Sequence, residues 1–274
     1  MINSELPLAA YGVLEGFRAP ESVNPAVEQL RTIGYAVIDS GYTQSEIVDI
    51  GDRFARTSDA YISEHGRSAL ASINEVDTIR AILTQSDEIF LQIAMNAALK
   101  NVVDELILGK YILNQQNGIT NPPRKQYSQS AWHRDLPYQH FVSSRPLALN
   151  ALYCVDDFTI DNGGTFVLPA SHKMEQFPSE GYIRRNAVQI AAKAGSYIVL
   201  DCMLFHCGGY NNTLSPRRAI NHLFTVPYIK QQINLPMAMS GRVLTVEQKA
   251  FLGFDYQIPP SVGGYLSGRA IKNF

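Results

Sequence analysis

Apolar positions recur at helical intervals up to about residue 110 and alternate over short runs beyond it. Pro25 to Ile33 reads as a short amphipathic helix followed by a strand at Tyr35 to Ile38. A second helix is predicted to open at Thr43, whose hydroxyl can cap the turn before Glu46, with Ile47, Ile50, Phe54 and Ala55 on its apolar face. The longest helical pattern starts at Ser86 and runs through Ile89, Phe90, Ile93, Ala97 and Val102 to a glycine stop at Gly109.

From Gly109 onward, strand-like runs alternate with turn residues, the pattern of an all-β sandwich or barrel. Strands are predicted over Tyr111 to Gln116, Leu147 to Val155, Thr165 to Leu168, Ala187 to Ala192, Ser196 to Asp201 and Arg217 to Val226. Met203 to Phe205 reads as the end of a further strand, just before His206. The expected organisation is one domain, with a helical N-terminal layer over 1–110, a β core over 111–228 and a C-terminal extension over 229–274. That extension has a helix predicted over Thr245 to Phe251, and it is a candidate lid over a site.

Composition narrows the partner. The 274 residues include 23 Lys plus Arg against 25 Asp plus Glu, and the net charge of -2 gives no general attraction to nucleic acid or an anionic membrane. A small-molecule partner is expected. Glu5 stands where a secretory leader would carry positive charge, and no run of about 18 apolar residues is present, so a cytosolic location is expected. Cys154, Cys202 and Cys207 lack a zinc-type spacing and read as reduced thiols, with Cys154 and Cys202 as small buried hydrophobes.

The chemistry centres on Trp132-His133-Arg134-Asp135. On a strand, His133 and Asp135 project from one face, where a single metal can meet both. Two imidazoles and a carboxylate suit a divalent first-row ion and leave coordination positions open. His206 is the best third ligand, since it precedes the Gly208-Gly209 turn and can face a barrel mouth; His65, His140, His172 and His222 are its rivals. Arg217 starts an apolar strand, and a guanidinium pointing into a barrel needs an anion, which a dicarboxylate would supply in bidentate fashion. Adjacent strand residues face opposite ways, so one of Arg217 and Arg218 is a surface arginine.

Four segments in register resemble the phytanoyl-CoA dioxygenase family: Trp132 to Asp135, Asp156-Asp157 with Asp161 to Lys173, Gly195 to His206, and Gly208 to Ile220. The resemblance covers about residues 126 to 226. It implies a mainly β protein with α, a double-stranded β-helix or jelly roll of the cupin kind behind an N-terminal helical layer. It also implies Fe(II) on His133, Asp135 and His206, and Arg217 on the distal carboxylate of 2-oxoglutarate, with O2 as the oxidant. Thr165 and Gln116 are further candidate contacts of 2-oxoglutarate. Ser196, where an acidic residue is common, and Ala170 depart from the family pattern without touching these positions, and His172 is expected to be a structural turn residue. Related halogenases replace the carboxylate with a small residue that admits chloride; Asp135 is retained, so hydroxylation, or a variant such as desaturation or ring formation, is implied. A zinc hydrolase and a cupin-like non-oxidative protein are alternatives that do not require Arg217, and an inactive relative is a third that the filling of all four functional positions argues against. The substrate is expected to be a small metabolite or natural-product intermediate. No CoA motif is visible, and Arg124, Lys125, Arg145, Arg184 and Arg185 are loop cations that can sit near the mouth.

Overall fold

The computed structural model describes residues 9–13, 19–85, 87–136 and 142–272. Among them no helix is long and apolar enough to cross a membrane.

The N-terminal layer is built as patterned, with two differences. Helix α1 (Pro25–Ile33) is capped by the Asn24 side chain and leads into β1 (Tyr35–Asp39). Thr43 and Glu46 then form the reciprocal capping box of α2 (Gln44–His65). Ile50 and Phe54 of α2 are buried, whereas Ala55 is exposed, and Gly51 and Tyr61 complete the inward stripe. Short elements α3 (Arg67–Ser72) and β2 (Thr78–Ile79) follow.

The single helix expected from Ser86 to Gly109 is two. Ser86 itself lies outside the described residues. Helix α4 (Ile89–Ala94) stops before Asn96, whose Oδ1 accepts from the amides of Ala98 and Leu99 to start α5 (Ala97–Leu106). An asparagine satisfies the free amides of a new helix better than it continues an old one, which is why apolar periodicity alone overran it.

The β core consists of β3 (Ile112–Asn121), β4 (Ala148–Cys154), β5 (Phe166–Val167), β6 (Val188–Gln189), β7 (Ser196–Asp201), β8 (His206–Cys207) and β9 (Arg217–Thr225). Between β5 and β6 lies an unforeseen exposed helix, α6 (Glu180–Asn186). A six-stranded antiparallel sheet has the order β1-β7-β4-β9-β3-β2, and a three-stranded sheet has the order β6-β5-β8. Residues opposite one another in a ladder share a face. One face of the large sheet, carrying Ala151, Tyr153, Val199, Ile220 and Phe224, packs on helix residues such as Leu30, Phe54, Phe90 and Leu99. The other face, carrying Cys154, Ile198, Leu200 and Ala219, packs on Val167 of the small sheet. This is the expected jelly roll with a helical outer layer, and its interior lies between the two sheets.

After β9 come α7 (Leu235–Ala238), α8 (Val246–Phe251) and α9 (Val262–Lys272). Leu235, Met239, Phe251 and Leu252 join the core on the helical side, with the Phe251 ring 6.0 Å from that of Phe224.

Candidate metal centre

His133 and His206 exchange backbone hydrogen bonds of 3.0 and 3.1 Å, so the metal motif meets β8 through a single antiparallel bridge instead of a full strand. The Asp135 amide donates to Cys202 O at 3.1 Å. Residues Met203 to Leu204 form a turn after β7 rather than the end of a strand, and His206 opens its own short strand. That turn reverses the chain so that His206 faces the barrel interior beside His133.

Each imidazole is fixed through Nδ1, on Ala131 O at 2.8 Å for His133 and on Leu204 O at 3.0 Å for His206. A carbonyl can only accept, so Nδ1 carries the proton and each Nε2 keeps its lone pair. The two Nε2 atoms lie 4.0 and 3.7 Å from Asp135 Oδ1. The three donor atoms fall within 4.8 Å of one another, and this triad is the one such cluster among the described residues. Burial, then the proximity of the second imidazole, lower the His133 pKa against the attraction of Asp135, which favours the metal-binding neutral ring. The side chain of His133 is 30% exposed and that of His206 8%, so the site has one open side. Two nitrogens, one oxygen and an open side fit a ferrous centre with room for exogenous ligands.

Arg134, between the two ligands, points the other way. Its guanidinium donates to the carbonyls of Met203, Ser171, Met174 and Glu175 and stacks on Phe205 at 3.9 Å. It ties the metal motif to the turns on either side of β8. The rival histidines lie elsewhere: His65 packs on Tyr61, His172 is buried near Gly34, and His222 is buried with Nδ1 on Ala151 O. His140 lies outside the described residues.

Arg217 is 2% exposed on the inner face of β9. Its guanidinium stacks over Phe158 at 4.0 Å and donates to Gly163 O at 2.9 Å, while its Nε has no partner among the described residues. Among the described residues no carboxylate lies within 4.0 Å of it. A buried guanidinium in that condition is suited to an anion from outside. Gly163 has φ +78°, so its carbonyl reaches Arg217 from a backbone conformation that a side chain would strain. Arg218, by contrast, is spent on Asp156, with bonds of 2.9 and 2.7 Å, and on Gly51 O of α2.

Two further residues near these groups carry no mark in the sequence pattern. Tyr127 places its hydroxyl 3.5 Å from an Arg217 nitrogen, against the bare α-carbon of Gly208. Burial holds its phenol above the ordinary range, so it stays a hydroxyl donor. Asn150 of β4 donates to Asp135 Oδ2 at 2.6 Å. Thr165 is buried two residues before Val167, which pairs with His206. Gln116 is not brought to this site: it pairs with His222 on the opposite face and donates to Phe90 O at 2.6 Å, where it binds the helical layer.

The loop cations are solvent-facing. Arg124, Lys125 and Arg145 are exposed, and Arg184 pairs with Glu180 along α6. Cys154, Cys202 and Cys207 are free and buried.

The sequence profile of the Phytanoyl-CoA dioxygenase (PhyH) family matches residues 30–219. The chain is 32% identical over 234 residues to the uncharacterized protein Rv1501 of Mycobacterium tuberculosis, covering 84% of each. It is 29% identical to the iron/alpha-ketoglutarate-dependent dioxygenase ausU of Aspergillus calidoustus, over 61% of this chain and 56% of that one. Its fold is similar to that of EctD from S. alaskensis crystallised with bound Fe, with a TM-score of 0.60, 21% identity and coverage of 86% and 84%. The fold, the triad and the extent of the match agree, and the chain belongs to the phytanoyl-CoA dioxygenase family of non-haem iron- and 2-oxoglutarate-dependent dioxygenases.

Proposed function

We propose that this dioxygenase hydroxylates a C–H bond of a small metabolite, holding iron on His133 Nε2, His206 Nε2 and Asp135 Oδ1 and 2-oxoglutarate on Arg217. The observation that carries the reading is the convergence of those three atoms within 4.8 Å in the same barrel interior as a buried arginine that lacks an acidic partner among the described residues. Bound iron supplies the activation of O2, coupled to decarboxylation of 2-oxoglutarate to succinate and CO2. The protein supplies position. The Arg217 fork grips the distal carboxylate in bidentate fashion, and its apolar backing by Phe158 strengthens that attraction by excluding water. The Tyr127 hydroxyl adds a donor on one side of the guanidinium, and Thr165 offers a second hydroxyl at the small sheet. Asp135 fills the carboxylate position with fixed negative charge, which disfavours a halide there and supports oxygen rather than chlorine transfer. A zinc hydrolase would leave Arg217 without a purpose.

The test is succinate release from 2-oxoglutarate by the Fe(II)-loaded protein across a panel of small metabolites, with hydroxylated product identified by mass spectrometry. His133→Ala and Asp135→Ala are each expected to abolish iron-dependent succinate formation. Wild-type turnover in either variant refutes the ligand assignment.

A further inference from the structure

We propose that Asn150 is a positioning residue that holds Asp135 to one-oxygen coordination of the metal. The inference rests on the iron reading above and concerns a residue that touches neither metal nor substrate.

Asn150 sits in the middle of β4, opposite Leu200 of β7 and Leu223 of β9. Directly opposite residues share a face, so these leucines and, along the strand, Ala148 and Leu152 surround it on the interior side. An amide in such a wall is unfavourable unless its polar atoms are paired. Asn150 is 4% exposed, its Oδ1 has no partner among the described residues, and its side chain makes one hydrogen bond, to Asp135 Oδ2 at 2.6 Å. A leucine would fill the space without an orphaned acceptor. The amide is therefore explained by what it does to Asp135.

That effect is specific to one oxygen. Oδ1 is the atom 4.0 and 3.7 Å from the two imidazole Nε2 atoms, and Oδ2 is turned to the amide. A carboxylate with both oxygens free can chelate a cation through both. With Oδ2 engaged, the carboxylate would offer a bound ion one oxygen instead of two and would leave positions open for exogenous ligands such as a chelating 2-oxo acid and O2. The amide also sets the rotation of the carboxylate plane before metal arrives, which lowers the ordering cost of binding.

The test compares wild type with Asn150→Leu and Asn150→Ala, the second retained because a small residue is tolerated if leucine fails to pack. Fe(II) affinity is measured anaerobically by competition with a chromophoric chelator, and the visible absorption of the Fe(II) protein is recorded on adding 2-oxoglutarate. Both variants are expected to lose about 10–100-fold in Fe(II) affinity, the range for removing a ligand's hydrogen-bond partner, and to shift the absorption band. A purely space-filling residue moves neither readout. A variant with wild-type circular dichroism, wild-type Fe(II) affinity and an unshifted band overturns the proposal. A wild-type protein that gives no band at all overturns the iron and 2-oxoglutarate reading itself, which is a different failure.

Discussion

Arg217 and Arg218 are chemically identical neighbours whose surroundings give them opposite work. Arg217 faces the interior with no acidic partner among the described residues, and Arg218 joins the sheet to Asp156 and α2. Arg217→Ala is expected to raise the 2-oxoglutarate requirement on the order of 30-fold or more, from the roughly 2–5 kcal/mol lost when one partner of a buried charge pair is truncated. Arg218→Ala should leave that requirement near wild type and lower stability by about 1–2 kcal/mol, its partial exposure limiting the loss. Steady-state kinetics and denaturant melts separate the two. Alternation along a strand predicts that one arginine faces in and the other out, but only the partner Asp156, 62 positions away in sequence, decides which. His222 illustrates a buried histidine with no metal role: burial pushes its pKa down to about 4 from the ordinary 6.5. Between those values the unfolded chain binds more protons than the folded one, so this group lowers stability as pH falls from about 6.5 to about 4. His222→Phe is expected to flatten that part of the stability profile; an unchanged slope in thermal melts would place the pH dependence on other groups.

Among the elements, those with local determinants were legible and those completed by distant partners were not. The α2 capping box, β7 and the start of β9 follow from residues within a few positions of each other. The split between α4 and α5 depends on Asn96, which caps α5 and also donates to Ser40 O at 2.9 Å. Asn96→Ala is expected to cost about 1 kcal/mol of stability while leaving Fe(II) affinity unchanged, as measured by chemical denaturation and metal titration. Strand β5 lies within the predicted run Thr165 to Leu168, but β8 carries only His206 and Cys207, too few residues for alternation to mark, so the pattern places the strand before His206 instead of on it. The same limit explains the site. His133 and Asp135 announce themselves by spacing, whereas Tyr127 and Asn150 acquire their roles from Arg217 and Asp135 on other segments. Gln116 shows the converse: it lies on β3 as its strand pattern predicts, but its side chain faces the helical layer, where it donates to Phe90 O.

At the scale of the whole molecule, the large sheet has a separate task on each face. Its outer face anchors the helices and the segment around Phe251, and its inner face packs on the small sheet and carries Arg217 and Asn150, the latter bonded to Asp135. The triad joins two segments that meet only in the fold, so ligand binding and folding are linked. Adding Mn(II) with 2-oxoglutarate is expected to raise the thermal midpoint in a concentration-dependent way, and Asp135→Ala should remove that rise. The most direct test of the central claim is a crystal structure of the Fe(II) protein with 2-oxoglutarate, grown without oxygen and measured across the iron absorption edge. The account predicts an iron anomalous peak bounded by His133 Nε2, His206 Nε2 and Asp135 Oδ1, with the distal carboxylate of 2-oxoglutarate on Arg217. An iron peak away from those three atoms, or 2-oxoglutarate bound without Arg217, would contradict it.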